Sequence, residues 1–368
     1  MAALYKASLV ALAGIGAYTL HALSSQNGMY EMIKSVGERH LLTDGVTAWP
    51  QWLQDYEFRL VAPLLGFFWP FANAEQADLL LCGIPFAGAV MSGWTVILLE
   101  ANRNGVRGGA GSYTTIYGLL VQTLGFAVVS PLFLLINLFS STIPSSPTPT
   151  SLSHPNLKQL KALPYALTLG FVVPSAIMLL PYPSLLSLDS KIAAVLAWQV
   201  FPVFVTLSSY VLAPCFAGPK NASPAAQLPS LRRAYAFALL VSSIAHVYTV
   251  GLSVTSALVP SLFNEASAAT LAPSNVFLPV LHAPRVVSVA EGALRLLKWD
   301  HAVGALAHVV WAVATTRNVN LRSSAFSSGS VWIDMVVRSV FLGPMSAVLC
   351  LIWERDEVVL GGEHLKTK

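Results

Sequence analysis

Long apolar runs separated by short polar interruptions make up most of this chain, and the runs lack the strict two-residue alternation of a half-buried strand. Candidate segments fall near 3–23, 57–72, 78–100, 113–138, 162–182, 190–214, 231–259, 298–316 and 331–353. Most of them approach the roughly 20 residues needed to cross a bilayer. A segment in lipid must satisfy its own backbone groups, which leaves helices once barrel strands are set aside. The expected fold is therefore all-α: a polytopic membrane helical bundle with eight or nine transmembrane helices. The run LVAPLLGFFWPFA (60–72) is short and carries Pro63 and Pro70, so it fits a span, a re-entrant segment or an interfacial helix.

Polar stretches set the organisation. Residues 139–161 and 215–230 are rich in Ser and Pro and read as loops. The connection 261–290 is too long for a tight helical hairpin, and from about Val286 it turns helical, with Glu291 and Arg295 spaced for an ion pair on one face. The whole chain, 1–368, is expected to form one integral-membrane domain, its first segment an uncleaved anchor.

Composition supports this class. Only 10% of the residues are charged, against about 25% in ordinary soluble domains, and the mean hydropathy is +0.64. The net charge of +4 is spread over many loops, so no nucleic-acid partner is expected. The three cysteines have no CxxC spacing and suggest neither a disulfide framework nor a metal site.

Chemistry is then sought among polar groups at membrane depth, where an Asp is disfavoured by roughly 2.5–3.5 kcal/mol on insertion scales. Glu100, at the end of the third segment, either pairs with Arg103 three residues on or faces inward beside Trp94. Asp300 sits inside RLLKWDHAVGALAHVVWAVATT (295–316). On a continuous helix Asp300, Gly304, Ala307 and Trp311 form one stripe with His308 at its edge, Asp300 and Trp311 lying roughly 16 Å apart. That stripe fits an extended prenyl chain, a close helix contact through small residues, or a helix N-cap at Asp300. His246 lies mid-segment and is read first as a neutral group bonded to a neighbouring helix. Asn137 and Gln199 are read as helix-to-helix hydrogen-bond partners.

The run LLGFFWPFANAEQADLLLCGIPFAGAVMSGWTVILLEANRNGVRGG (64–109), the AHVY around His246 and LLKWDHAVGALAHVVWA (296–312) resemble the long fungal integral-membrane terpene cyclases of meroterpenoid and indole-diterpene biosynthesis. Trp69-Pro70, Glu100-Ala-Asn-Arg103 and Trp299-Asp300 carry the resemblance. It implies metal-independent cyclisation of a prenylated hydrophobic substrate, started by protonating an epoxide or terminal alkene. Such a step needs a carboxylic acid that keeps its proton, which burial among apolar groups favours. Asp300 or Glu100 is expected to be that acid. Trp94, Trp299 and Trp311 would face the cations, each indole contributing about 0.5–2 kcal/mol, and His246 or His308 would remove the final proton. No DDxxD-type motif is present and no metal or cofactor is expected. The expected surroundings are the bilayer of the endoplasmic reticulum or another endomembrane, shared with other enzymes of the pathway. A transporter or non-catalytic scaffold for hydrophobic intermediates is the alternative.

Overall fold

Apolar runs without alternation become helices here because each residue bonds its own turn and turns its side chain onto a neighbouring helix. A computed structural model describes residues 2–55, 61–106, 108, 113–219, 222–282, 284–319, 321 and 330–362. Its principal helices are α1 (Ala3–Gln26) and α7 (Leu157–Leu179), each including a π-helical turn, α2 (Met29–Glu38), α3 (Val61–Ala72), α4 (Ala77–Ala101), α5 (Thr114–Leu124) and α6 (Phe126–Ser140). The remainder are α8 (Leu188–Trp198), α9 (Phe201–Cys215, ending in a 3-10 turn), α10 (Pro224–Leu258), α11 (Val289–Thr316), α12 (Val331–Leu342) and α13 (Pro344–Gly361). The described residues hold no strand, only the isolated bridges Leu41–Ala48 and Val106–Ser141. The fold is all-helical, as expected.

By length and composition four helices can cross a membrane, α1, α4, α7 and α10, or five if the pair α8 and α9, bent by 73°, counts as one span. That is fewer uninterrupted crossings than the eight or nine segments read from the sequence, and the causes are local. Segment 113–138 breaks at Gly125 (φ +91°) and segment 331–353 breaks at Gly343 (φ +96°), with Pro344 opening the next helix. Segment 190–214 bends between Trp198 and Phe201, next to Pro202. In the segment read over 57–72, residues 57–60 lie outside the described residues, and the 12 residues of α3 reach only about 18 Å. The expected loops contain structure of their own: Pro149–Leu152, Glu265–Thr270 and Pro273–Phe277 are short helices, while α7 and α10 begin inside two of them.

Helix α11 is the hub. Ser288 caps its start by accepting the Glu291 amide at 3.1 Å, and the helix then runs 28 residues without a break against α1, α3, α4, α6 and α13. Its small residues allow this: a Cβ on Gly304 would fall 2.2 Å from the Phe126 ring of α6. By contrast α10 shows an outer stripe of Leu240, Ile244, Val247 and Tyr248, all more than half exposed. An apolar stripe of that extent on a helix long enough to cross a membrane is a surface suited to hydrocarbon. Lys191, fully buried, holds the ends of two helices together by donating to the carbonyls of Ala72, Met178 and Leu180, each at 2.7 Å. A cation suits those carbonyl-rich C-terminal ends.

Candidate active site

Asp300 lies in the middle of α11, 5% exposed. It does not cap its own helix. Its Oδ1 accepts the amide of Ala127 at 2.6 Å, and the Phe126 amide also reaches the carboxyl. Those amides open α6, whose cap residue is Gly125 and offers no side chain. Asp300 therefore caps a neighbouring helix across the break. Gly125 is required there twice over, by its positive φ and because a Cβ would fall 2.2 Å from Leu20 and 3.2 Å from Asp300 Oδ1.

The same carboxyl lines a hollow of about 170 Å³ walled mainly by Phe67 and Phe68 of α3, Phe86 and Val90 of α4, and Trp198 of α8. A second hollow of about 120 Å³ shares Phe67, Phe68, Phe86, Val90 and Trp198, so the two adjoin. Phe68 and Trp198 lie 5.2 Å apart between ring centroids, and Phe67 meets Phe68 edge-on at 4.9 Å. Polar atoms at the wall are few. Gln122 Oε1 is buried and has no partner. His21 and Tyr30 form a pair, with Nδ1 and Oη 3.0 Å apart, while His21 Nε2 lies 3.2 Å from the Leu124 carbonyl. A neutral imidazole fits both contacts by donating Nε2–H to Leu124 and accepting the Tyr30 hydroxyl at Nδ1. Tyr30 Oη has a second acceptor, the Leu20 carbonyl, at 3.2 Å. Rotation of that hydroxyl leaves the His21 nitrogen free to accept a proton.

Glu100 is elsewhere. Its Oε1 accepts from Arg103 Nε at 2.8 Å and from Arg355 Nη2 at 2.7 Å. Arg103 also pairs with Asp356 Oδ2 at 2.6 Å, and the Tyr235 hydroxyl donates to the same oxygen at 2.6 Å. Two carboxylates and two guanidiniums, none more than 2% exposed, thus form a balanced buried cluster. The Glu100–Arg103 pairing was legible from spacing; Arg355 and Asp356 come from the far end of the chain. Glu100 lines neither of the two hollows described above.

The expected aromatic set is also distributed differently. Trp311 is fully buried and donates Nε1–H to Asn137 Oδ1 at 3.0 Å, tying α11 to α6. Trp94 is buried edge-on against Phe201, ring centroids 6.1 Å apart, and Trp299 donates to the Val280 carbonyl at 3.1 Å. None of the three lines the Asp300 hollow. On the stripe below Asp300, Gly304 packs against the Phe126 ring and Trp311 bonds Asn137, both contacts with α6. His308 stacks on Phe126 (5.1 Å, 17°) with Nδ1 2.9 Å from the Gly304 carbonyl and Nε2 unpartnered. His246 bonds the Val340 carbonyl of α12 at 3.1 Å, as a neutral helix-to-helix partner would. Sequence reading missed His21, Tyr30, Gln122 and the walls Phe67, Phe68, Phe86 and Trp198. The Phe-Phe-Trp run of α3 was the available signal. Among the described residues no three His, Cys, Asp or Glu side chains gather as metal ligands do.

Comparison with known proteins places the chain in a family. The CtvD domain model matches residues 5–360. Over 362 residues the chain is 32% identical to the terpene cyclase ascI of Acremonium egyptiacum, covering 96% of this chain and 92% of that one. It is 27% identical over 357 residues to the terpene cyclase ctvD of Aspergillus terreus, covering 95% and 98% of the two chains. The terpene cyclase penA of Penicillium crustosum is 27% identical over 367 residues, 98% of each chain. No solved structure matches. With the match running almost from end to end, and with the resemblance read from residues 64–109 and 296–312 pointing the same way, the chain belongs to the CtvD domain family, whose relatives named here are fungal terpene cyclases.

Proposed function

We propose that this protein is a membrane-bound terpene cyclase that protonates an epoxide or terminal alkene of a prenylated meroterpenoid or indole-diterpene intermediate in fungal secondary metabolism. One observation carries the reading: a single carboxyl, Asp300, is fixed by a helix-opening amide at the edge of an apolar, aromatic-walled hollow. With Oδ1 held by the Ala127 amide, Oδ2 is the oxygen to carry the proton. As that proton leaves for the substrate, the carboxylate left behind faces the amides at the start of α6, a charge the helix N-terminus favours. Phe67, Phe68, Phe86 and Trp198 line the space where the cation travels and keep water from it, their faces attracting positive charge. His21, once Tyr30 turns to the Leu20 carbonyl, takes the final proton.

The reaction proposed is metal-independent, since protonation requires no ionisation of a diphosphate. We place the bundle in the endoplasmic reticulum or another endomembrane, and the helices broken at Gly125 and Gly343 are read as interrupted spans that, with α11 and the short α3 added to the five above, bring the crossings to eight or nine. Substrate then arrives from the bilayer, where a prenyl tail gains about 0.8 kcal/mol per buried methylene. The test is to incubate microsomes carrying the protein with linear and epoxidised farnesyl and geranylgeranyl conjugates. Cyclic products of unchanged mass are expected; no conversion of any of them would point instead to a carrier of hydrophobic intermediates.

A further inference from the structure

On the face of α11 away from Asp300 lies the largest hollow described, about 570 Å³, between α4, α10, α11 and α12. Phe86 stands between the two spaces, lining the Asp300 hollow while its ring meets His301 at 6.0 Å. One end of the larger hollow holds Lys298, only 7% exposed. Among the described residues Lys298 has no hydrogen bond or ion pair; Cys82, in the wall of the same hollow, and Asp78 of α4 act on it only through space. Lys191, which is fully buried, instead has three carbonyls. A largely buried side chain whose ammonium lacks a partner is costly, and the hollow beside it supplies room for an anion.

From Lys298 the hollow follows α11 to Val309, eleven residues on and therefore about 16 Å along the axis. Its walls there are mainly apolar, with His246, His301 and Ser339 among them, and the rim residues Leu306, Trp332, Val336 and Val340 are 45–63% exposed, so it opens along an apolar rim. An ammonium at one end, a long, mainly apolar track and an opening along an apolar rim match one kind of guest. We infer that this hollow binds an anionic membrane lipid, its phosphate paired with Lys298 and one acyl chain lying along α11 to Val309. The inference rests on the membrane placement proposed above and is independent of the chemistry assigned to Asp300.

The experiment uses purified full-length protein in phosphatidylcholine nanodiscs and a phosphatidic acid bearing a photoactivatable diazirine on its acyl chain, with the matching phosphatidylcholine probe as control. The acidic probe should label peptides containing Leu306, Val309 or Val336, and K298Q should reduce that labelling about tenfold, the scale of one charge-assisted hydrogen bond. K298R should retain it. Equal labelling by both probes in the parent overturns the proposal, whether or not K298Q folds, and so does undiminished labelling of folded K298Q. Native mass spectrometry should find a co-purified acidic phospholipid; a prenylated acid there instead overturns the lipid assignment. Alkaline carbonate extraction of the parent from microsomes tests the membrane placement separately.

Discussion

Asp300 of α11 and Ala127 of α6 are joined by a 2.6 Å hydrogen bond across 173 residues of sequence, and that bond sits where a predicted span breaks in two. It gives the carboxyl two tasks, capping α6 and facing the hollow. The two can be separated. Asp300→Asn keeps an oxygen for the Ala127 amide and should leave the thermal midpoint nearly unchanged, whereas Asp300→Ala should lower stability by about 1 kcal/mol, the usual value of an N-cap. Thermal unfolding of both variants in detergent checks this.

Gly125 makes the bond possible. An alanine there must hold φ near +91° with its Cβ 2.2 Å from Leu20. Gly125→Ala should therefore lose about 1–2 kcal/mol from backbone conformation alone, before any rearrangement around Leu20. Its midpoint should fall, and its turnover should fall with it but less than that of Asp300→Ala, because the acid shifts with the hollow yet is still present.

The buried cluster predicts an effect of a different kind. Removing the charge of Glu100 leaves Arg103 and Arg355 sharing Asp356. Glu100→Gln should be destabilised by about 3–5 kcal/mol, as breaking a buried pair usually is. Denaturation of the variant beside the parent measures this.

Trp198 offers its ring to both adjoining hollows and donates Nε1–H to Ser175 Oγ at 2.8 Å. If its indole meets a travelling cation, Trp198→Leu should weaken that stage by about 0.5–2 kcal/mol and raise the share of products released early. Trp198→Phe should do so less. Product profiles by mass-resolved chromatography separate the two.

His154 gives a pH prediction outside the membrane segments. Burial, with the Arg103 guanidinium adding to it, pushes this imidazole down to about 3 from its ordinary 6.5. As pH falls through 6.5 the unfolded chain takes up a proton that the folded chain refuses until about 3, so the His154 contribution is complete above 6.5 and is lost on acidification. The slope is at most about 1.4 kcal/mol per pH unit. His154→Gln should flatten the dependence between those values, measured as thermal midpoint against pH.

The helical class and the unusual placement of Asp300 were legible in the sequence because both are local signals: apolar runs of crossing length, and one acid within an apolar segment. The sequence also exposed the Glu100–Arg103 and Asn137 contacts in part, through spacing and through the need of buried amides for partners. What it hid was relational. Gly125 reads as one more small residue in an apolar run until Asp300 is seen opposite it, and the α8–α9 bend depends on packing around Pro202. Trp94, Trp299 and Trp311 lie near the acids in sequence, yet the cavity walls come from α3, α4 and α8, whose aromatics are no different in type from interfacial ones. Arg355 and Asp356 follow Glu354 and precede Glu357 at the end of α13, where a charged run resembles a solvated tail.

The central claim, that Asp300 delivers the proton and Glu100 does not, is tested most directly by turnover per folded molecule of Asp300→Asn and Glu100→Gln on the same epoxidised prenyl substrate. Loss of a general acid removes about 10²–10⁴ of the rate, so Asp300→Asn should fall by that order while folded Glu100→Gln keeps parental turnover. Parental activity in Asp300→Asn, or its loss in folded Glu100→Gln alone, would contradict the account.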